Sequence, residues 1–497
     1  MRHHLYGHGV SMVAVPVRIS TALQLWRLRW GQRARIPSND QTSKSEEMSE
    51  EMAENKRQMT LLVFMAPVGY QTAAWRHPKS RVEDLYGLDL PADIARRAEA
   101  AKIHALFLAD WLSFEQTGRN PDQTGYEPFT TIGALAALTK QIGLVGTAAT
   151  TFIEPYHLAR YFSQLDWLSN GRVGWNIVTA TTGQENFNVE LPPRNERYAR
   201  AHEYMDVVTG LWDAWRDDAV LNDRANGVWA DRRHIAPLNH HGKLYRVEGP
   251  LLVPRSPQGW PVLVQAGASD AGRDFASKYA EIIFTVTPTL PLAQEFYGDL
   301  KARATNIGRA ESSLRVHPGL MPIVGDSEMD ARRIHDELLD LVSEDEGVVR
   351  LSSGLEGADL AGLDWNDTIP RDRLIDPLIA VKEREAASRY PYYYDLAVEK
   401  KYTIRMLLRE VMKAAGHGVV VGSAEQIADH MQLWFESRAA DGFAILPPTI
   451  PVGLNRFLDE VVPILQQRGI FRTEYVEGTL RDNLGLERPK SRDQKGE

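Results

Sequence analysis

The chain has no cysteine among its 497 residues. That absence removes disulfides, thiol nucleophiles, iron–sulfur ligation and cysteine-type zinc sites in one step. A reducing compartment is permitted, and a cytoplasmic location is the expectation. Long apolar runs are missing as well. Even the greasiest stretch, Ile132 to Ile153, is interrupted by Lys140 and Gln141, short of the ~18 uninterrupted residues a spanning helix needs. Clustered positive charge is scarce: 57 basic against 66 acidic side chains give a net −9. Neither nucleic acid nor membrane is therefore expected as a partner. Walker-type Gly-x-x-x-x-Gly-Lys-Ser/Thr, His-Glu-x-x-His and internal repeats are all absent. Chemistry is left to histidines, carboxylates, hydroxyls or a borrowed cofactor. What remains, 25% charged and 43% hydrophobic residues, is the mix of a globular protein.

The first segment differs from the rest. Up to Asn39 it holds six arginines and no acid, and it continues as a polar, Ser/Glu-rich stretch from Ser38 to Gln58. An Arg-rich, acid-poor start is similar to an organellar transit peptide. The preferred reading is a start codon assigned too far upstream, with Met48, Met52 or Met59 as the real one. Residues 1–57 carry 9 basic and 6 acidic groups, which leaves 48 basic and 60 acidic in the body. Residues 1–58 are expected to be a disordered extension outside the fold.

From Leu61 onward, short β-branched and aromatic runs alternate with longer stretches of helical period. Strands are expected at Leu61–Ala66, Ala105–Ala109, Ile142–Thr147, Arg172–Val178, Pro261–Gln265, Ile282–Thr285, Leu314–Val324 and Phe443–Leu446. Pro128 and Pro155 stand where helix starts tolerate proline, and Ser269 and Asp270 offer N-cap chemistry. Strand–helix repeats demand parallel crossovers, so the fold class is α/β, a (β/α)8 TIM barrel over residues 59–480 with a tail at 481–497. Such barrels usually take ~250 residues, so two insertions are expected, near 217–260 and 343–422. A doubly wound sheet is the rival, but Met65-Ala66-Pro67-Val68-Gly69 is no dinucleotide turn.

Residues at the ends of barrel strands face the working side. Gln265-Ala266-Gly267-Ala268-Ser269-Asp270 follows the fifth strand and opens a helix, which suits a phosphate and equally suits an ordinary Ser/Asp cap. Asp110, ending the second strand beside Trp111, could accept a bond from a ligand or simply cap its loop. Thr147 has the same ambiguity. His77, in Ala74-Trp75-Arg76-His77-Pro78 after strand one, can exchange a proton with a peroxide or carbonyl oxygen; a lone loop histidine is also often structural. His317, before Pro318, is a weaker substrate-contact candidate. His240 and His241 are adjacent and diverge on a strand, a poor metal pair; no metal is expected.

These pieces resemble the bacterial luciferase-like flavin-dependent monooxygenases, in the branch of nitrilotriacetate monooxygenase component A. The likeness runs through Ala73-Ala74-Trp75-Arg76-His77-Pro78, Phe107-Leu108-Ala109-Asp110 and Leu168-Ser169-Asn170-Gly171-Arg172-Val173-Gly174-Trp175-Asn176-Ile177-Val178-Thr179. It continues with Glu196-Arg197-Tyr198-Ala199-Arg200-Ala201 and Pro254-Arg255-Ser256-Pro257-Gln258-Gly259 leading to Gln265-Ala266-Gly267. The resemblance implies reduced FMN (FMNH2), delivered by a separate NAD(P)H-dependent flavin reductase, reacting with O2 to a flavin C4a-hydroperoxide that oxygenates a small organic substrate. It implies that Asp110 and Thr147 lie against the flavin ring and its edge, and that Tyr198 and Ser269 hold the ribityl phosphate. His77 would bond or protonate the peroxide. Arg194 stands where the family usually has histidine, four residues before the tyrosine, and can reach a phosphate bidentately. A homodimer or homotetramer is expected.

The 343–422 insertion is a candidate lid, because an activated oxygen species survives only where water is excluded. Its stretch Glu344 to Asp367 holds seven acids against Arg350, a lining that would disfavour a polyanion if it faces the site and does nothing if it faces solvent. Sulfone, amine, thioether and ketone substrates all stay open. A deazaflavin-dependent dehydrogenase on the same barrel, a flavin carrier without catalysis and a metal-dependent barrel hydrolase are the competing readings.

Overall fold

A computed structural model describes residues 57–113, 125–180, 182–383 and 390–491, with the side chains of 194–195, 344–346 and 381–383 outside the description. The expected N-terminal extension therefore lies outside the described residues apart from its last two positions. Residues 58–497 form one unit.

Strands β1 (Thr60–Phe64), β2 (Ala105–Leu108), β3 (Gly143–Ala149) and β4 (Val173–Val178) come first. Two small antiparallel hairpins follow, β5 with β6 (Val220–Asp223, Val228–Ala230) and β7 with β8 (His240–His241, Arg246–Val247). Then come β9 (Val262–Gln265), β10 (Ile282–Thr285), β11 (Arg315–Val324), β12 (Gly418–Gly422) and β13 (Gly442–Ile445). The sheet order is β10-β9-β4-β3-β2-β1-β13-β11-β12, and a further β10–β11 pairing closes it. Eight parallel strands thus make a barrel, as the strand–helix alternation predicts.

Both faces of each barrel strand are buried, which is why the strands read as nearly continuous apolar runs. Leu62, Phe64, Ala105, Phe107, Val145, Val264 and Ala444 share the interior cluster. Their neighbours Leu61, Val63, Leu106, Leu144, Trp175, Leu263 and Phe443 share the cluster that includes the helical layer. The period-two alternation of a barrel strand separates the two sets. The helices begin as their sequences indicate: Glu127 caps Pro128–Leu138 by accepting from the Phe129 and Thr130 amides at 3.0 and 2.7 Å, and Ser423 forms a capping box with Gln426.

Strand β12 was not expected. Its partner β11 is ten residues long; the first four pair with β10 and the last five, Leu320–Val324, pair with β12. The insertion that precedes β12 has its own apolar cluster, including Leu351, Tyr390, Tyr393 and Leu407. Of its acids, Asp359, Asp364 and Asp367 are exposed, so these face solvent.

The stretch from 481, which reads as a tail, is built into the barrel as far as Ser491. Leu480, Leu484 and Leu486 enter the interior cluster from the N-terminal ends of the strands. Arg481, 1% exposed, ion-pairs Glu281 at 2.5 Å and donates to the Trp260 carbonyl at 3.1 Å. His317 belongs to this same closed end. Its Nε2 meets Thr60 Oγ1 at 2.5 Å, and burial holds it neutral, with a pKa pushed down to about 3. The substrate role suggested for it does not fit that position. Among the described residues no helix is long and apolar enough to cross a membrane.

Candidate active site

At the opposite end, the loop after β9 meets the helix Arg194–Trp212. Ser269 caps the helix Asp270–Tyr279, its hydroxyl accepting from the Gly272 amide at 3.2 Å. Tyr198 leans over the same turn: a Cβ built on Gly272 would sit 2.8 Å from the Tyr198 hydroxyl. Gly267 is equally confined, since a Cβ there would come within 2.2 Å of the Gln265 amide nitrogen. Two glycines therefore keep the backbone low and bare under two hydroxyls, at a helix end where amides lack intrahelical partners. A phosphate suits that cradle. Arg194 opens the neighbouring helix, but its side chain lies outside the described residues.

Asp110 lies two residues beyond β2, and Thr147 lies within the adjacent β3, two residues before its end rather than at it as the sequence suggests. The Thr147 hydroxyl donates to the Leu108 carbonyl at 2.8 Å and accepts from Asn176 Nδ2 at 2.8 Å, so much of its bonding capacity is spent within the sheet. Asn176 sits opposite it on β4. Its Oδ1 is buried and has no hydrogen-bond partner among the described residues, a vacancy that costs free energy unless a donor arrives. Its motif does not by itself set Asn176 apart at the level of sequence. The available signal was a polar side chain on the inward face of a strand otherwise lined by Gly174 and Val178.

Asp110 has its pKa raised to about 6, first by burial and then by the neighbouring Glu127 carboxylate. Around it the mouth is aromatic. Phe64 stacks on Phe107 at 5.6 Å and meets Tyr70 and Trp111 edge-on at 5.3 and 6.4 Å. Phe284 lies 5.6 Å from Phe107 and stacks on His417 at 5.0 Å, and His417 meets Tyr70 edge-on at 5.8 Å. Tyr70, Phe284 and His417 were not anticipated, because they come from three segments far apart in sequence.

His77 stands apart from these groups. It follows a short 3-10 turn, Ala74–Arg76, and its Nδ1 accepts from the Lys79 amide at 3.1 Å. That bond leaves the proton on Nε2. Burial and the Lys79 charge lower its pKa, against a smaller upward pull from Glu337, so the ring is neutral at pH 7. Its neighbour Arg76 bonds the Leu341 carbonyl. None of the contacts described for His77 reaches Asp110, Thr147, Tyr198 or Ser269. Among the described residues no group of three metal-ligating side chains occurs. His240 instead pairs with Glu203 at 3.2 Å.

Comparison with known proteins supplies the chemistry. Residues 71–441 match the luciferase-like monooxygenase family. The chain is 41% identical to N-acetyl-S-(2-succino)cysteine monooxygenase of Bacillus subtilis (strain 168), over 89% of this chain and 99% of that protein. It is 40% identical to nitrilotriacetate monooxygenase component A of Aminobacter aminovorans, over 88% and 99%. A riboflavin lyase solved with modified FMN and riboflavin superposes with a TM-score of 0.76 at 30% identity, covering 88% of this chain and 98% of that one. This chain therefore belongs to the luciferase-like monooxygenase family and is a flavin-dependent monooxygenase.

Proposed function

We propose that the protein is the oxygenating component of a two-component system, binding FMNH2 at the barrel mouth and transferring one atom of O2 to a small organic substrate. The convergence of Tyr198 and Ser269 over the bare Gly267–Gly272 turn carries this reading. When bound, reduced FMN supplies two electrons to O2; one oxygen atom enters the substrate and the other leaves as water. The residues present fit that group. Ser269 and Tyr198 each have a hydroxyl proton to donate to the phosphate, and Arg194 is a further candidate. The orphaned Asn176 Oδ1 would offer an acceptor to an N–H of the ring system, and Asp110 and Thr147 would be held near its edge.

His77 supports the reading as a neutral imidazole whose Nε2–H is free of the Lys79 contact. Through that Nε2–H the neutral ring can donate a hydrogen bond to a ligand oxygen. The 343–422 insertion limits water at the mouth. A partner NAD(P)H-dependent flavin reductase is inferred from a relative named as one component of a monooxygenase. The sequence resemblance also leads us to expect a homodimer or homotetramer and a cytoplasmic location.

The test supplies purified protein with FMNH2 from a reductase and 18O-labelled O2, screening sulfones, amines, thioethers and ketones. One labelled oxygen atom per product molecule is expected. Oxygen uptake no greater than free flavin reoxidation, across the whole panel, defeats the reading.

A further inference from the structure

We infer that a side cavity of the barrel mouth receives the unreacting part of the substrate and selects an uncharged, largely apolar molecule over a polycarboxylate. The inference rests on the flavin-site reading above and adds the substrate class to it. The cavity measures ≈360 Å³, within the ~300–1,000 Å³ range of small-molecule sites.

Its walls place it beside the chemistry. Ala268 adjoins Ser269, Thr287 lies two residues beyond the end of β10, and Gly416 adjoins His417, the ring stacked on Phe284. The far wall belongs to the insertion, through Tyr392 and Asp395. Asp395 opens a π-helical turn, Asp395–Glu399, a conformation that is uncommon and concentrated at functional sites.

The chemistry of the walls selects the occupant. Leu292 and Phe296 present apolar surface. Thr287 is 6% exposed, and its hydroxyl has no hydrogen-bond partner among the described residues, so one polar group of a ligand would be welcome there. Charge points the same way. Arg273 is the one cation on the described walls, and it is already engaged. It bonds Asp299 at 2.9 Å and the Ala268 carbonyl at 3.1 Å, and lies 4.7 Å from the Phe296 ring centre. Opposing it are Glu295 and Asp395, of which Asp395 pairs with Lys400 at 3.2 Å. A polycarboxylate would enter without an uncommitted cation and would meet Glu295; a thioether or sulfone meets no such penalty.

Binding of thioanisole, diphenyl sulfone and nitrilotriacetate to the full chain is measured by calorimetry without turnover, alongside FMN titration. The two uncharged probes should bind and nitrilotriacetate should not. Thr287→Val should weaken the sulfone by about 3- to 10-fold, the loss of one hydrogen bond. Leu292→Trp, at a half-exposed rim position that tolerates bulk, should block both probes. FMN affinity should stay unchanged in both variants. Preferential binding of nitrilotriacetate, or uncharged probes indifferent to both substitutions, overturns the inference. So does a parallel loss of FMN affinity, which would assign the cavity to the flavin. If this binding pattern holds while no labelled oxygen reaches any product, the cavity stands and the flavin reading falls.

Discussion

The two ends of the barrel are built on opposite rules. At the N-terminal end, buried charges meet opposite charges: Arg481 with Glu281 at 2.5 Å, Lys301 with Asp441 at 2.9 Å, and Arg255 with Asp213 at 3.0 Å. At the C-terminal mouth, Asp110 is half-buried beside another acid instead of a cation, and Asn176 and Thr287 keep polar atoms without partners among the described residues. The closed end keeps an orphan of its own, His317 Nδ1, among the described residues; what sets the mouth apart is a carboxylate placed beside an acid with no cation among the causes of its shift. Barrel enzymes divide stability and function between their ends in this sense.

The sharpest way to break that contrast is at the closed end. Arg481→Ala leaves Glu281 without its guanidinium and the Trp260 and Pro261 carbonyls without their donor. Loss of one partner of a buried pair costs about 3–5 kcal/mol, so thermal unfolding should move down by many degrees. FMN affinity, measured well below the new transition, should not change. A variant that melts normally but loses flavin would mean the two ends are not separable.

At the mouth the order reverses, and function moves while stability holds. His77→Ala should lower oxygenated product about a hundredfold, the low end for a positioned acid–base group, with FMN affinity and melting temperature intact. An equal loss of FMN binding would make His77 part of the cradle. Ser269→Ala is milder, weakening FMNH2 by roughly 1–2 kcal/mol in a fluorescence titration. It also removes the cap on Gly272, so a small drop in melting temperature accompanies it.

The contrast also explains what could be read in advance. All eight barrel strands were legible, because a strand buried on both faces must be apolar throughout, whatever lies at its end. Strand β12 escaped because Gly418-Val419-Val420-Val421-Gly422 follows a long insertion and joins only the upper half of β11. The cradle role proposed for Tyr198 and Ser269 comes from the resemblance, since Ser269 alone is indistinguishable from a helix cap. The aromatic mouth was not legible at all. Phe64, Phe284 and His417 are brought together only by barrel closure, which no local pattern encodes.

The smallest expected effect tests the mouth most directly. Asp110 has a folded pKa near 6 against an ordinary 3.8, so the folded state holds its proton more tightly than the unfolded chain does. Its burial therefore costs nothing below about pH 4, an increasing amount between pH 4 and 6, and a constant amount above. Asp110→Asn should raise the melting temperature at pH 7.5 and leave it unchanged at pH 4. Allowing for partial solvent screening, the gain is about 1 kcal/mol. Glu127→Gln should lower the Asp110 pKa by a smaller amount, because burial is the larger cause, while giving up one of the two cap bonds to the Phe129 and Thr130 amides. A gain of equal size at both pH values would show that packing, not ionisation, sets the cost. On the proposed function, a carboxylate kept at such a position against its own stability serves the ligand. With FMN added, the ranking should accordingly invert: the wild-type protein gains more in melting temperature than Asp110→Asn, and equal gains would return Asp110 to the role of a loop cap.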